Sequence, residues 1–428
     1  MANEVKEKSS HHHHHHHHHK SSKKKTKFSL KRFVRKYKLP LRIAALVIVA
    51  ALTVTATVII VKQADQLRTL SQDNSTITPV PTQTIPESHL AVTVTRFDEA
   101  VSLTHQTVQT YLSASLSTSA ADIVGPVLAS GHRLDRGQPV SLSFSVLGLA
   151  ANCNVTGFRV EVTEQGQKTP AYAQDLGAGQ SSVLLYNLKT GTTYSFTVRA
   201  DFTAMPSITV SGAFDTAAGP RLLFVDGIGN VRDFGGWKVG NTYINQGLLY
   251  RGSELDGSGD AQFNLSDTGR QTLVTNLGIH AILDLRSPEE TSGVNVVGGG
   301  TTLTGPYNAP YYDAAFTTGK DAMARIFTEL ADESNYPIYM HCTFGRDRTG
   351  TVCLILGALL GMSEADLLRE YGLSAMYYGD ADYTNPNLVL AGLKTFEGEN
   401  LAQQAENYLR SIGITDDQID AIRHIYLG

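Results

Sequence analysis

A ten-residue stretch carries side chains whose types and spacing suit nucleophilic attack on an anion. Cys342 follows His341, five residues separate Cys342 from Arg348, and Thr349 and Gly350 close the stretch. A thiolate is a strong nucleophile, and a neighbouring guanidinium favours it over the thiol. Arg348 can also bind two phosphoryl oxygens through a bidentate fork, which lysine cannot form. These residue types predict attack by sulfur on phosphorus, a phosphocysteine intermediate and its hydrolysis by water.

The segments on either side must position these groups. Residues 337–340 form a short apolar run typical of a buried strand, and residues 351–360 form a helical run. A turn between a strand and a helix directs backbone N–H groups and the positive end of the helix dipole at one point, which makes an anion site. A buried cysteine that happens to precede a helix is the alternative, but it leaves the rest of the stretch unexplained. Residues 342–348 are called the anion loop below, and the phosphate ligands predicted in it are Thr343, Phe344, Gly345, Arg346, Asp347 and Arg348.

The pattern His-Cys-x5-Arg-Thr-Gly resembles the signature loop of cysteine-dependent tyrosine and dual-specificity phosphatases. Residues 345–350 are similar to the atypical bacterial tyrosine and lipid phosphatases, which usually read Gly-Lys-Asp-Arg-Thr-Gly, so Arg346 replaces a lysine. The resemblance covers about residues 219–428 and implies an α/β domain with a central sheet flanked by helices. Other stretches that match the same family are 230–236 (Asn-Val-Arg-Asp-Phe-Gly-Gly), 247–253 (Gly-Leu-Leu-Tyr-Arg-Gly-Ser) and 282–287 (Ile-Leu-Asp-Leu-Arg-Ser), with Glu289 and Glu290 close behind.

Roles follow for residues in and around the loop. The predicted catalytic residues are Cys342, Arg348, Asp347 and Thr349, whose hydroxyl is expected to help release the thiol. The predicted supports of the loop are His341, Arg232, Asp233, Asp284 and Arg286. His341 is interpreted as an orienter of the loop, because a stabilised thiolate needs no base. Arg232 and Asp233 have a second interpretation, a salt-bridged turn that two glycines close. We expect no metal or cofactor, because Arg348 and the loop N–H groups supply positive charge.

Two aspartates compete for the role of general acid, which must give a proton to the leaving oxygen. Asp313 lies 29 residues before Cys342, near the position where many dual-specificity phosphatases carry their acid. Asp347 lies inside the loop, where the resembling bacterial family and the myotubularin lipid phosphatases carry an acid. The flanking arginines favour the carboxylate of Asp347, whereas the bound phosphate and the thiolate favour its neutral form. Asp347 is the predicted acid and Asp313 the alternative.

The N-terminal residues predict a membrane anchor. Residues 1–42 hold 13 Lys/Arg and two acidic residues, and residues 11–19 are nine histidines, interpreted as a tag or low-complexity tract. Residues 43–61 contain no charge and as a helix would span about 28 Å, close to a bilayer core. A basic flank stays in the cytoplasm, so everything after this span is expected outside. The anchor also makes the membrane surface, rather than nucleic acid, the expected partner of the basic residues.

Between the anchor and the α/β domain, the sequence predicts a stalk and a sandwich. Residues 62–88 are rich in Ser, Thr, Gln and Pro, and residues 89–125 have no assignment. Residues 126–217 alternate apolar and polar side chains in three sets, which predicts an all-β sandwich. Residues 188–194 resemble part of a fibronectin type III domain. The sandwich is interpreted as a spacer, with a binding module for a protein or glycan as the alternative.

Together these features predict a single-pass membrane protein with an extracytoplasmic phosphatase domain at residues 219–428. The expected substrates are phosphotyrosine in proteins or peptides and, second, phosphoinositides or inositol phosphates. A catalytically silent adhesion or scaffold protein is the alternative from another functional class.

Overall fold

A computed structural model describes residues 90–149 and 151–428. They form a β-sandwich, two helices inserted into it, and an α/β part. No helix within these ranges is long and apolar enough to cross a membrane. The anchor predicted at 43–61, the histidine tract and the stalk lie outside the described residues.

The sandwich consists of two antiparallel sheets. One has the order β1-β2-β5 and the other β4-β3-β6-β7. The strands are β1 (Ala91–Val94), β2 (Val140–Leu147), β3 (Val155–Glu164), β4 (Tyr172–Gly177), β5 (Ser182–Leu185), β6 (Thr193–Phe202) and β7 (Ile208–Asp215). In β2 the side chains alternate between buried and exposed, as the sequence pattern predicts. The rings of Phe144 and Phe158 meet at 4.7 Å between the sheets, so the apolar faces form one core.

The sandwich begins earlier than its sequence suggests. Strand β1 lies in the segment without an assignment, and two helices separate it from β2: α1 (Gln106–Ser113) and α2 (Ala120–Ala129). Their apolar faces, including Val108 and Val124, pack into the core of the α/β part instead of the sandwich core. The Tyr111 hydroxyl also lies 2.7 Å from that of Tyr383. The inserted helices therefore tie the sandwich to the α/β part.

The α/β part is built on a five-stranded sheet of order β13-β12-β14-β11-β8, in which only β8 is antiparallel to its neighbour. Its strands are β8 (Arg232–Asp233), β11 (Leu249–Gly252), β12 (Ala281–Asp284), β13 (Thr302–Thr304) and β14 (Ile338–His341), and β9 (Lys238–Val239) and β10 (Thr242–Tyr243) form a hairpin. The helices are α3 (Asp267–Gln271), α4 (Lys320–Leu330), α5 (Asp347–Leu359), α6 (Glu364–Gly372), α7 (Ala375–Tyr378), α8 (Thr384–Leu393), α9 (Leu401–Ser411) and α10 (Asp416–Leu427).

Strand β14 and helix α5 form the centre of this part. All four residues of β14 are buried, as expected for an inner strand of a sheet covered on both faces. Helix α5 is buried on nearly every side. A Cβ at Gly350 would lie 2.6 Å from the Tyr371 ring, so the glycine allows α6 to approach the first turn of α5. The strand and helix predicted around the anion loop are therefore present and firmly packed.

Candidate active site

The anion loop turns its carbonyl groups outward. The carbonyl oxygen of Thr343 accepts a hydrogen bond from the Glu254 N–H at 3.0 Å, and that of Phe344 accepts one from the Tyr378 hydroxyl at 2.7 Å. Among the described residues, no acceptor contacts the N–H groups of residues 343–346. A peptide group directs its N–H opposite to its C=O, so these N–H groups face the inside of the turn. The loop therefore presents donors to a bound anion.

Two side chains from distant segments hold the middle of the loop. The Asn230 amide donates to the carbonyl oxygens of Phe344 at 3.1 Å and Gly345 at 3.3 Å. The Arg251 guanidinium donates to the Gly345 carbonyl at 2.7 Å. Gly345 itself has φ +62°, and a Cβ there would lie 2.1 Å from the Gly252 carbonyl oxygen. Glycine is required here because the loop packs closely on the end of β11, rather than to make room for the anion.

A buried ion triad lies behind these contacts. The Glu370 carboxylate accepts from Arg232 Nε and Arg251 Nη1, each at 2.7 Å, and all three side chains are at most 2% exposed. Burial raises the pKa of Glu370, but the two guanidinium groups outweigh burial and leave the pKa below its usual value. The triad fixes Arg251, and Arg251 fixes the loop. Arg232 is thus a support of the loop, although it acts through Glu370 and Asn230.

In the structure, the other residues predicted to support the anion loop lie in two separate places. Asp233 pairs with Arg221 at 2.9 Å and accepts from the Gly235 N–H at 2.8 Å, whereas its neighbour Arg232 pairs with Glu370. Asp233 faces the sandwich side of the domain, where Arg221 Nε also donates to the Leu188 carbonyl. The remaining supports, Asp284, Arg286 and His341, cluster beside the loop.

In this cluster the carboxylates of Glu254 and Asp256 meet the Arg286 guanidinium. Glu254 in turn accepts from the Gly259 N–H at 2.9 Å, which shapes the adjoining loop. Burial lowers the pKa of His341, which favours the neutral imidazole. Its Nδ1 lies 3.2 Å from the Cys342 carbonyl oxygen. This contact fits an orienting role for His341.

Cys342 lies at the floor of a cleft of about 320 Å³ and is 2% exposed. The residues lining the cleft are Ser258, Gly259, Glu289, Glu290, Tyr311, Cys342, Thr343, Phe344, Asp347 and Arg348. Of the residues predicted from the sequence, the structure therefore brings the nucleophile, Arg348 and Asp347 together. The Arg346 side chain does not line this cleft, because it pairs with Asp347 at 3.3 Å and with Asp380 at 3.5 Å.

The two edges of the Arg348 guanidinium differ in their contacts. Its terminal nitrogens Nη1 and Nη2 form a fork with the Glu290 carboxylate, with Nη2 to Oε1 at 2.9 Å. Its Nε is buried and has no partner among the described residues, and the same is true of the Thr349 hydroxyl. Buried polar atoms are rarely left unpaired, so both atoms fit the contacts of a bound anion or of the sulfur. Glu290 orients the guanidinium, and the edge carrying Nε remains for a phosphoryl group.

The two candidate acids differ in position. Asp347 lines the cleft and also a second cavity of about 190 Å³ on its other side. Asp313 is exposed and is absent from the lining of both cavities. Its neighbour Tyr312, however, reaches Asp347 through its hydroxyl. Of the two candidates, Asp347 is therefore the one that lines the cleft containing Cys342.

Sequence reasoning missed several residues of this site. Glu370 is an ordinary glutamate in an amphipathic helix, and no local pattern distinguishes it from a surface residue. Asn230, Arg251 and Glu290 lie in stretches quoted for their resemblance, but no role was predicted for them. The signal that identifies them is a buried polar side chain bonded to the loop or to its arginine.

Comparisons with known proteins agree with this site. Residues 223–428 match the family model described as the tyrosine phosphatase family. A protein of Cupriavidus necator assigned as a tyrosine-protein phosphatase is 28% identical over 175 residues, which is 35% of this chain and 61% of that relative. A tyrosine-protein phosphatase of Nostoc commune is 25% identical over 128 residues, which is 23% of this chain and 42% of that relative. The chain thus spans less than two thirds of either relative, and the matches support the phosphatase family for this part of the chain.

Among the solved structures similar to part of this chain is the core catalytic domain of the PP-IP phosphatase SIW14 from S. cerevisiae in complex with citrate, at 19% identity and a TM-score of 0.26. The similarity covers 39% of this chain and 93% of that domain.

Proposed function

We propose that the α/β part is a cysteine-dependent phosphatase that hydrolyses phosphate monoesters, with phosphotyrosine as the first substrate class. The observation that carries this proposal is the anion loop itself. Its N–H groups at 343–346 have no acceptor among the described residues, and its carbonyls are held from behind. The site is completed by Cys342 as nucleophile and by Arg348, whose Nε has no partner in the described part of the chain. Such preorganised donors stabilise charge on a transferring phosphoryl group.

The proposed reaction has two steps. In the first, Cys342 Sγ attacks phosphorus, the bond from phosphorus to the ester oxygen breaks, and Asp347 gives a proton to that oxygen. In the second, water attacks the phosphocysteine, its proton passes to the Asp347 carboxylate, and the S–P bond breaks. Arg348 binds the equatorial oxygens in both steps. The Thr349 hydroxyl, buried and unpaired among the described residues, is available to stabilise the departing thiolate.

The lining of the cleft favours phosphotyrosine over polyphosphorylated substrates. Its ionisable lining comprises three acids, Glu289, Glu290 and Asp347, against one arginine, Arg348, apart from the thiol and the phenol. Additional phosphates on an inositol ring would therefore meet carboxylates. The aromatic side chains of Tyr311 and Phe344, 49% and 39% exposed, line the same cleft and offer faces to a phenyl ring.

The experiment measures phosphate release from p-nitrophenyl phosphate in EDTA and, separately, with and without vanadate in buffer free of EDTA. We expect turnover that vanadate blocks, and loss of turnover in Cys342→Ser, because a serine hydroxyl is scarcely ionised near neutral pH. Cys153→Ser, a buried free cysteine of the sandwich, is the matched control and should retain activity. No turnover by the unaltered chain would favour the silent scaffold instead. Activity of Cys342→Ser within tenfold of the parent would refute the phosphocysteine.

A substrate panel then tests the class of substrate. The same preparation is given phosphotyrosine peptides, phosphoinositides and soluble inositol phosphates at equal concentration. We expect the highest kcat/KM on the phosphotyrosine peptides. A preference for the phosphoinositides would show that the aromatic lining serves another purpose and that the lipid class is the correct one.

The proposal includes the location of the enzyme. Residues 43–61 would anchor the chain, with the basic segment inside and the phosphatase outside the cytoplasm; the support is the uncharged span and its basic flank. Protease treatment of intact cells tests this orientation. Survival of the C-terminal part without permeabilisation would show that the orientation is wrong.

A further inference from the structure

Three donors converge on one oxygen of the proposed general acid. The Tyr312 hydroxyl bonds to Asp347 Oδ1, the Tyr371 hydroxyl lies 3.2 Å from the same atom, and Arg346 Nε lies 3.3 Å from it. Among the described residues, no donor contacts the other oxygen, Oδ2. The Asp347 side chain is 18% exposed, and the residue lines the cleft that contains Cys342.

We propose that Tyr312 and Tyr371 are positioning residues for the general acid, which bind Oδ1 of Asp347 and leave Oδ2 to carry the proton to the leaving group. The inference rests on the proposed function, because it concerns the acid of that reaction. A carboxyl group delivers its proton efficiently only when the correct oxygen faces the acceptor. Donors on Oδ1 occupy the lone pairs of that atom and direct the proton to Oδ2.

Both tyrosines are suited to act as permanent donors. Burial raises the pKa of Tyr371 to about 12, and burial together with the bond to Asp347 raises the pKa of Tyr312 well above its usual value. Each hydroxyl therefore keeps its proton across the pH range of the reaction. The two hydroxyl oxygens also lie 3.2 Å from each other, so they approach Oδ1 side by side.

The backbone around Tyr312 is built to hold this arrangement. Tyr312 has φ +49°, a left-handed conformation that is uncommon for a bulky residue. Its N–H donates to the Thr351 hydroxyl at 3.0 Å, and that hydroxyl donates to the Asp347 carbonyl at 3.0 Å. The short 3₁₀ helix Tyr312–Phe316, which begins at this residue, is thus fixed to the start of helix α5. Strain of this kind persists where the surroundings impose it, and it is common at functional sites.

Tyr371 is fixed from the other side. It lies near the end of helix α6, one residue after Glu370 of the buried triad, and it is 3% exposed. Its ring occupies the space that a side chain at Gly350 would fill. The same helix therefore supports the anion loop through Glu370 and the acid through Tyr371.

The experiment compares Tyr312→Phe and Tyr371→Phe with the unaltered chain on two substrates. Phenyl phosphate has a poor leaving group and depends on the acid, whereas p-nitrophenyl phosphate depends on it little. We expect kcat/KM on phenyl phosphate, which reports only the step that releases the leaving group, to fall about tenfold or more, part of the roughly 10²–10⁴-fold that an acid contributes. On p-nitrophenyl phosphate the fall in kcat/KM should stay within about threefold, because that leaving group needs little protonation. The alkaline limb of kcat/KM against pH should move to higher pH, because the carboxylate loses donors that stabilise its charge.

Two comparisons make the test specific. Tyr307→Phe is the matched control, because the Tyr307 hydroxyl also bonds to a carboxylate, Glu329 Oε1 at 2.9 Å, but outside both cavities. It should leave the alkaline limb in place. In the background of Asp347→Asn, Tyr312→Phe should have no further effect on phenyl phosphate, since the two residues act through the same proton.

The outcomes separate this inference from the proposed function. Equal slowing of both substrates with an unchanged alkaline limb would overturn the positioning role while leaving the phosphatase intact. An effect of Tyr312→Phe that persists in Asp347→Asn would overturn it as well. No turnover by the unaltered chain would overturn the proposed function and this inference with it. If one variant does not fold, the other carries the test, because each removes a separate hydroxyl.

Discussion

Replacing Glu370 with glutamine tests whether charge in the buried triad holds the anion loop. The substitution keeps the shape of the side chain but removes the carboxylate that Arg232 and Arg251 share. Both arginines are at most 1% exposed, so neither can turn to water without moving the backbone. The variant therefore leaves two buried positive charges facing a neutral amide.

The expected cost is large. Removing one partner of a buried ion pair typically costs about 3–5 kcal/mol of folding free energy, because the remaining charge is buried without compensation. For a domain of this size each kcal/mol lowers Tm by about 2–4 °C, so the expected fall is about 6–20 °C. Turnover should also be reduced at temperatures where the variant is still folded, because Arg251 holds the Gly345 carbonyl of the anion loop.

The dependence on pH gives an independent check. The lowered pKa of Glu370 in the folded state adds stability that is complete above the unfolded value, usually 4.5, and is lost as pH falls through the folded value. The difference in unfolding free energy between the unaltered chain and Glu370→Gln should therefore be constant near neutral pH. It should narrow once the pH falls below about 4.5.

The assay is chemical and thermal unfolding of the two proteins, with Glu364→Gln as control. Glu364 pairs with Lys394 at 2.8 Å, but both side chains are about half exposed, so this loss should cost about 1 kcal/mol or less. If Glu370→Gln costs no more than the control, charge does not hold the triad together. The account of how the loop is supported would then be refuted.

Three further predictions concern the loop and its arginine. Arg348→Lys should lower kcat by about 100-fold or more with a smaller change in KM, because bidentate contact matters most in the transition state. A change in KM alone would show that Arg348 binds the substrate and the transition state equally well. Glu290→Gln should lower kcat/KM roughly tenfold through loss of one charge-assisted contact, measured with p-nitrophenyl phosphate; unchanged kinetics would show that Glu290 does not orient the guanidinium. Gly345→Ala should abolish turnover through its clash with the Gly252 carbonyl, whereas Gly278→Ala, at φ +66° with no atom within 4 Å, should only lose about 1 kcal/mol of stability.

The sequence alone was enough to predict the strand and the helix on either side of the anion loop. Cys342 and Arg348 are separated by one short turn, so their spacing along the chain already limits their distance in space. The alternation of apolar residues in β2 and β6 likewise predicted the buried faces of the sandwich. These inferences succeed because the period of a strand and the length of a turn are local properties.

The boundaries of the sandwich could be located only from the folded structure. Strand β1 pairs with β2 across an insertion of two helices, and the apolar faces of those helices pack on the α/β part. An amphipathic helix shows which of its faces is buried, but it does not show against which partner. The sequence therefore left the segment without an assignment.

Only the tertiary structure decided what holds the loop and the Asp347 carboxylate. Glu370 meets Arg232 across 138 residues and Arg251 across 119, and its own surroundings in the sequence are those of an ordinary amphipathic helix. Tyr312 reaches Asp347 across 35 residues, whereas its neighbour in the sequence, Asp313, is exposed and does not line the cleft. A local pattern cannot specify such pairs, because hydrogen bonds and ion pairs depend on which segments the folded sheet brings together and on how completely packing excludes water from them.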